Sequence, residues 1–317
     1  MFCQLARTER VLCMDGACPA SVPALALRKV ITDAMQLPET PPMIETPSAS
    51  IGTARDHWRP IRHYELALLR DARWQDAGNG VEQRDLGLGK ASDGAMQGRQ
   101  LRATRDAADL AEPLRSGGTH FHLFYVIEGS LTIQAPDGGR IVLEAGDCVH
   151  QPAFAQKHRV TFSAGAQALE LAVPIKPALA GKPIQLESDD QSAQPVINRD
   201  VPAAYVRGDG PRAYFLYRDL GVAAATDRRI HIHILKATAP SMPGGTGEHR
   251  HTMCQLFYVF SGWADLEAEG QESVRMRAGD AMCISAGTRH NVPAFSPDYA
   301  IIELCIPADY DTVDADA

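Results

Sequence analysis

The stretch GEHRHTMCQLFYVFSG, residues 247–262, contains the residues that decide the fold and the chemistry of this chain. His249 and His251 are separated by one residue, and side chains at positions i and i+2 of a strand point to the same face. The run LFYVF that follows is aromatic and β-branched and ends near Gly262, which is typical of a strand closed by a turn. Two histidines, and Gln255 four residues further on, can therefore face one interior.

A second stretch, GDAMCISAGTRH at residues 279–290, adds a third histidine, His290. Three imidazoles and one carboxamide oxygen can then converge on a divalent metal ion. Imidazole suits zinc, iron, nickel, copper and cobalt, and three protein nitrogens with open positions are typical of a catalytic site. A single histidine is more often an ordinary core or surface residue, but this spacing predicts a metal site formed by His249, His251, Gln255 and His290.

An internal repeat connects this region with the first half of the chain. Five pairs of residues recur at an offset of 133 or 134 positions, namely Arg84 and Arg218, Gly129 and Gly262, Gly146 and Gly279, Glu170 and Glu303, and Pro174 and Pro307. Such a long period indicates a duplicated domain rather than a solenoid. Each copy reads as many short strands with regular turn signals, which predicts an all-β barrel or sandwich.

The two stretches resemble the motifs of the cupin superfamily, G(x)5HxH(x)3–4E(x)6G and G(x)5PxG(x)2H(x)3N. Gln255 stands where that family usually has glutamate, and Ser285 stands in place of its proline. The resemblance covers residues 62–310 and implies two tandem cupin barrels, also called double-stranded β-helices or jelly rolls. We expect an N-terminal extension without stable structure at 1–55, a first barrel at 56–174, a linker at 175–195, and a second, metal-binding barrel at 196–317.

The first copy departs from the motif. When Gly129 is aligned with Gly262, His122 falls on the Gln255 position; alternatively, a deletion brings His120 and His122 forward as the histidine pair, with His158 near the third position. We expect a degenerate first barrel without metal. The cofactor expected is one divalent ion per chain, with Fe(II) favoured and Zn, Ni, Mn or Co as alternatives.

A further pair of histidines lies in the strictly alternating run around Ile232. His231 and His233 are either an exposed or hydrogen-bonded pair, or His233 lies in the barrel lumen and carries protons near the metal. Because neutral Gln255 leaves the full charge of the ion, an anionic substrate is favoured. Bicupins that resemble this one often act as Fe(II) dioxygenases on small oxygenated aromatic or diketone-like compounds. A non-redox isomerase, lyase or hydrolase, and a non-catalytic ligand-binding barrel, are the alternatives.

Composition restricts the partners. The net charge of −8 argues against a nucleic-acid-binding protein. No apolar run reaches the 18 residues typical of a membrane span, and the seven cysteines form no CxxC pair and predict reduced thiols. We expect a cytoplasmic protein with a small-molecule substrate and no membrane partner, and a homo-oligomer is compatible with the sequence.

Overall fold

The computed structural model describes residues 59–114, 119–135, 137–151, 158–174, 195–209 and 212–314. They belong to one compact unit, Ile51–Ala317. The expected extension lies in the undescribed part of the chain, as does all of the expected linker except its last residue. Strands dominate, and the described α-helices are two single turns, α1 (Leu88–Ala91) and α2 (Val222–Ala225). The expected all-β fold is confirmed. Neither helix could span a bilayer, and the described residues contain no other candidate.

The strands fall into two successive sets along the chain. The first set comprises β1 (Glu65–Ala67), β2 (Gln75–Asp76), β3 (Val81–Asp85), β4 (Gln97–Ala103), β5 (Ala108–Asp109), β6 (Thr119–Glu128), β7 (Ser130–Gln134), β8 (Arg140–Glu144), β9 (Cys148–Gln151), β10 (Arg159–Phe162), β11 (Gln167–Pro174) and β12 (Val196–Asn198). The second set comprises β13 (Val206–Arg207), β14 (Phe215–Asp219), β15 (His231–Ala237), β16 (His249–His251), β17 (Cys254–Ser261), β18 (Trp263–Ala268), β19 (Val274–Arg277), β20 (Ala281–Ile284), β21 (His290–Phe295), β22 (Ala300–Ile306) and β23 (Thr312–Asp314).

Each barrel consists of a large and a small antiparallel sheet. The first barrel has a seven-stranded sheet in the order β12-β9-β6-β11-β4-β3-β2 and a four-stranded sheet in the order β5-β10-β7-β8. The second barrel has a seven-stranded sheet in the order β1-β20-β17-β22-β15-β14-β13 and a five-stranded sheet in the order β19-β18-β21-β16-β23. The two large sheets match strand for strand, as the internal repeat predicts.

The two barrels exchange their edge strands. Strand β1 pairs with β20 of the second barrel, with Glu65 opposite Cys283, and β12 pairs with β9 of the first barrel, with Val196 opposite His150. Each copy therefore contributes its first strand to the sheet of the other copy. The exchange covers the outer edge of β9 and of β20, which would otherwise present unpaired backbone groups.

A reciprocal pair of buried arginines joins the barrels. Arg84 of the first barrel donates to the backbone carbonyl of Gly279 in the second, and Arg218 of the second barrel donates to the carbonyl of Gly146 in the first, at 2.5 Å. Arg218 is fully buried and lies 2.6 Å from the carboxylate of Asp200. A planar guanidinium can donate to several acceptors at once, so a buried arginine can bond backbone and carboxylate oxygens at the contact between the two barrels.

The repeated RDLG sequence is a strand followed by a sharp turn. Asp85 accepts a hydrogen bond from the backbone nitrogen of Gly87 at 3.1 Å, and Asp219 accepts the equivalent bond from Gly221 at 2.8 Å. Both glycines have a positive φ, +78° and +75°, which L side chains rarely adopt. Each turn leads directly into a helix, α1 or α2, and so fixes the end of the strand that carries Arg84 or Arg218.

Three apolar clusters lie inside and between the barrels. One fills the first barrel around Phe124 and Val149, and one fills the second around Phe257 and Ile301. The third forms between the large sheets, where outward-facing residues of β6 and β11 meet those of β17 and β22. Residues alternate along each strand between the lumen and this shared core, as the period of two requires.

Candidate metal centre

His249, His251 and His290 meet inside the second barrel. Strands β16 and β21 pair with His249 opposite His290, and the ring centroids of these two residues lie 4.5 Å apart. The ring of His251 lies 4.8 Å from His249 and 5.2 Å from His290. All three side chains are buried, and one ring nitrogen of each lies within 4.8 Å of one nitrogen of each other ring. The structure thus brings together the three histidines that the motif spacing predicts.

Hydrogen bonds at the Nδ1 atoms orient the three rings. The Nδ1 atoms of His249 and His290 lie 2.7 Å and 3.0 Å from backbone carbonyl oxygens that can only accept, namely those of Gly247 and Thr288. The Nδ1 atom of His251 lies 2.9 Å from the hydroxyl of Thr312. No described residue forms a hydrogen bond with the Nε2 atom of any of the three rings. Histidines that bind metals are commonly held through the second nitrogen in this way, which fixes both the tautomer and the ring direction.

Burial keeps these imidazoles neutral. Loss of hydration lowers the pKa of His251 to about 3 and that of His290 to about 4, and it also lowers the pKa of His249. Neutral imidazole is the form that binds a metal ion. The cluster is therefore in its ligand form at neutral pH.

Gln255 lies on the lumen side of β17, on the same face as Phe257 of the cavity wall. Its side chain is 1% exposed, and neither its Oε1 nor its Nε2 atom has a hydrogen-bond partner among the described residues. A buried amide without a partner costs about 1–3 kcal/mol. A divalent ion that accepted its oxygen would remove part of this cost, so the residues present fit a divalent ion bound by His249, His251, His290 and Gln255.

A small cavity of about 80 Å³ adjoins the three histidines. Aromatic and aliphatic side chains form part of its walls, and the other lining residues are four histidines, Arg212, Thr246 and Glu303. Among the described residues that line it, Arg212 is the only arginine or lysine and Glu303 is the only carboxylate. Ligand sites for drug-sized molecules usually measure about 300–1,000 Å³, so this cavity suits a molecule of few atoms.

His233 lies in the lumen, at the wall of this cavity. Its Nε2 atom lies 2.7 Å from Oε2 of Glu303, and its Nδ1 atom lies 2.7 Å from Nε2 of His231. Burial alone would raise the pKa of Glu303, but the hydrogen bond and electrostatic attraction from His233 lower it to about 2, so the carboxylate is ionised. The two histidines are thus a hydrogen-bonded pair, and His233 also faces the lumen; sequence reasoning treated these as alternatives.

Several residues of the site were not singled out from the sequence. Glu303 was noted only as a repeat landmark, and Tyr310 and Thr312 were not singled out at all. Strand β23 pairs with β16, with Thr312 opposite His251, and the Tyr310 ring packs on the edge of the His251 ring at 5.6 Å. Strand β23 has only three residues, which is too short for a periodic pattern that would predict a strand from the sequence.

The first barrel has a different interior at the equivalent positions. His122 lies opposite the fully buried Glu170, with Nε2 to Oε1 at 2.7 Å, and Arg99 donates from Nε to Oε2 of Glu170, also at 2.7 Å. Leu114 donates its backbone N–H to the same carboxylate at 2.8 Å. The His120 side chain lies outside the described residues, and in the described part of the chain no metal-type cluster includes His122 or His158.

Comparisons with known proteins agree with this architecture. Residues 241–306 match the family described as Cupin domain. A comparison with curated protein sequences finds no match. Solved structures that are similar include an oxalate decarboxylase from Bacillus subtilis, with 13% identity, 79% of each chain covered and a TM-score of 0.53.

Two further structures are similar over comparable lengths. Protein Ylba from E. coli has 14% identity over 81% of this chain and 98% of its own, with a TM-score of 0.54. A putative glyoxylate-induced protein from Pseudomonas aeruginosa has 13% identity over 79% of this chain and 89% of its own, also with a TM-score of 0.54. Identities this low establish the fold alone. The Cupin domain match thus lies in the second barrel, at residues 241–306, and the chain shares its overall fold with these structures.

Proposed function

We propose that this chain is a metal-dependent enzyme whose second barrel binds a small carboxylate and moves a proton to or from it. The observation that carries the proposal is the set of side chains that line one cavity. Three neutral histidines with free Nε2 atoms, an arginine and a hydrogen-bonded His–Glu pair all border the same 80 Å³. We place the metal ligands at His249, His251, His290 and Gln255.

The metal would supply positive charge that polarises a carboxylate or carbonyl oxygen of the substrate. Its ligands are all neutral in this chain, so they cancel none of that charge. The ionised Glu303 is the one carboxylate among the described lining residues, and it is already paired with His233. The cavity therefore favours an anion.

Arg212 supports the choice of a carboxylate. Its guanidinium lines the cavity and makes no ion pair or side-chain hydrogen bond with another described residue. An arginine can bind a carboxylate through two parallel N–H···O bonds. A substrate that spans the distance from the arginine to the histidines must be short, since the cavity is small.

His233 is the group that we propose for proton transfer. Its Nε2–H donates to the Glu303 carboxylate, which holds the ring against the cavity wall. The Tyr217 ring stands edge-on to it at 5.7 Å and restricts its rotation. Because both ring nitrogens of His233 are hydrogen-bonded, to His231 and to Glu303, a proton that His233 moves would reach or leave the substrate through the Glu303 carboxylate.

A dioxygenase is the second candidate. Three neutral nitrogen ligands with open positions suit Fe(II) and dioxygen chemistry as well as a non-redox reaction. The small cavity argues against a bulky aromatic substrate, and the His233–Glu303 pair has a clearer role in proton transfer. Oxygen consumption during turnover would favour the dioxygenase, whereas full turnover without oxygen would exclude it.

The first test is metal content and anion binding of the full chain. We expect elemental analysis to find a divalent ion in protein purified without added metal. Oxalate and glyoxylate, the small carboxylates named in two of the similar proteins, are then titrated calorimetrically into the zinc-loaded chain. Arg212→Gln should weaken binding of these anions at least tenfold, about 1.4 kcal/mol, without loss of metal.

The matched control is Arg277→Gln, because Arg277 is an exposed arginine of the same barrel that does not line the cavity. Unchanged anion binding in Arg212→Gln, or a chain that holds no metal, would refute the proposal. Turnover is then screened with short hydroxy- and keto-carboxylates. His233→Gln should lower turnover of an accepted substrate while metal content stays near that of the wild type.

A further inference from the structure

His231, His233 and Glu303 form a continuous chain of hydrogen bonds that leads into the second barrel. The Nε2 atom of His231 lies 2.7 Å from Nδ1 of His233, and Nε2 of His233 lies 2.7 Å from Oε2 of Glu303. The outer residue is the most exposed of the three: the His231 side chain is 20% exposed, that of His233 8% and that of Glu303 10%. The inner two residues line the cavity, and His231 does not.

The direction of the hydrogen bonds follows from the acceptor at the inner end. The Glu303 carboxylate can only accept, so His233 carries its proton on Nε2 and presents a lone pair at Nδ1. That lone pair accepts from His231, which must carry its own proton on Nε2. The Nδ1 atom of His231 is then free to take a proton. It lies 3.8 Å from Oδ1 of Asp219, whose side chain is 62% exposed.

The first barrel provides an internal comparison for these positions. By strand register, Gln97 corresponds to His231, Arg99 to His233 and Glu170 to Glu303. The glutamate is present in both barrels, but Arg99 occupies the His233 position of the first barrel, and it stays protonated and cannot pass a proton on. Glu170 also bonds His122, on a neighbouring strand, but Gln97 stands at the His231 position, so the chain of two histidines along one strand is a feature of the second barrel.

We propose that His231, His233 and Glu303 are a proton relay between solvent and the cavity, with His231 as the solvent-side carrier; this inference rests on the proton-transfer function proposed for the same site. In one passage, Nδ1 of His231 takes a proton from water beside Asp219. His231 passes its Nε2 proton to Nδ1 of His233, and His233 passes its Nε2 proton to the carboxylate of Glu303. One proton enters and one reaches the cavity, and both rings end in the opposite tautomer.

The relay gives the cavity a defined route for proton exchange along strand β15. His231 touches neither the cavity nor the candidate ligands, so it is a positioning and transfer residue rather than a catalytic one. Its replacement should slow proton exchange and leave metal and anion binding unchanged.

The test measures exchange of the His233 Nε2–H proton with solvent by nitrogen-15 NMR. The sample is the full chain, zinc-loaded, with labelled histidine. We expect both His231 and His233 in the Nε2–H form, whereas the three clustered histidines carry no Nε2 proton. His231→Gln keeps a donor for His233 but cannot pass a proton through, and it should slow the exchange at least tenfold. His63→Gln, at an exposed histidine of the first barrel, is the matched control and should change nothing.

A second variant checks the route by rescue. His231→Ala leaves space that imidazole from solution can fill, and imidazole should speed the exchange in this variant but not in the wild type. Exchange in His231→Gln at the wild-type rate, or a proton found on Nδ1 of His233, would overturn the relay. These readouts need no substrate. A chain that fails the anion-binding test can therefore still pass this one, and the two proposals fail separately.

Discussion

The amide of Gln255 is buried in the lumen of the second barrel, and neither of its polar atoms has a hydrogen-bond partner among the described residues. As the metal ligand that we propose, a glutamine in this position would give the site an oxygen without negative charge. The metal-free chain then carries only the cost of an unpaired amide, whereas a carboxylate would carry the larger cost of an unpaired buried charge. Glutamine rather than glutamate at position 255 thus affects both the net charge of the metal site and the stability of the chain without metal.

Gln255→Glu should separate these two effects. We expect the variant to retain or tighten metal binding, because a carboxylate is the better partner for a cation, and to weaken oxalate binding at least tenfold, because the site loses net positive charge. Without metal, its unfolding free energy should fall by about 1–3 kcal/mol. Elemental analysis, calorimetry and thermal melts with and without zinc measure these changes. Loss of metal from the Glu variant would show that Gln255 is not a ligand.

At the scale of elements, the short C-terminal strand β23 supports the histidine cluster. The described residues of the first barrel contain no counterpart of it, and it pairs along the whole of β16, the strand that carries His249 and His251. The hydroxyl of Thr312 fixes Nδ1 of His251. The strand therefore orients His251, one of the proposed metal ligands, from outside the motif.

Thr312→Val should weaken zinc binding about 10- to 100-fold, as the loss of a hydrogen bond behind a ligating histidine commonly does. The fold should hold, because valine occupies the same space and favours a strand. Thr238→Val is the control, since the Thr238 hydroxyl in the same barrel bonds only the Tyr214 carbonyl. Competition with a chromophoric chelator gives both affinities. Equal affinity in wild type and Thr312→Val would remove β23 from the metal centre.

Sequence reasoning found the parts of this fold that carry a local signal. The LFYVF strand, the alternation around His233 and the spacing of the three histidines all depend on residues close together in the chain. The exchanged strand β1 could not be found, because its three residues pair with Cys283 and its neighbours more than 200 positions away. The partnership of His233 with Glu303 was missed for the same reason. The residue boundaries predicted for the two barrels stay a prediction. The exchanged edge strands β1 and β12 each pair with a strand on the other side of those boundaries.

At the scale of the whole molecule, the two barrels share one apolar core, and this core contains a histidine. His150 is 4% exposed, stacks on Phe121 at a centroid distance of 5.0 Å, and has no hydrogen-bond partner for either ring nitrogen among the described residues. Burial, and then repulsion from His122, lower its pKa to about 4. The equivalent residue in the second barrel is the buried Cys283.

Acid should therefore loosen the junction between the barrels. In the unfolded chain His150 becomes protonated below about pH 6.5, whereas in the folded chain it becomes protonated only near pH 4. The unfolded state therefore binds more protons between these two values, and the free energy of unfolding falls as the pH drops from about 6.5 to about 4. The pKa difference corresponds to roughly 3 kcal/mol. His150→Leu should flatten that part of the profile, and His63→Gln, at an exposed site, should not. Denaturant unfolding at pH 7, 5.5 and 4.5 measures it; parallel profiles for wild type and His150→Leu would exclude His150 as the cause.

The duplicated barrels finally predict how many ions the chain binds. In the first barrel Glu170 is saturated by Arg99, His122 and the Leu114 amide, and the fixed charge of Arg99 opposes a second cation at this position. We therefore expect about one divalent ion per chain. His249→Ala should remove most of it, because a ligand is lost. His122→Ala should leave the metal content unchanged but lower the unfolding free energy by about 1–3 kcal/mol, because a buried carboxylate loses a hydrogen bond. Elemental analysis and denaturant unfolding of the two variants separate these roles. Two tightly bound ions, or metal loss in His122→Ala, would mean that the first barrel also binds metal through His122.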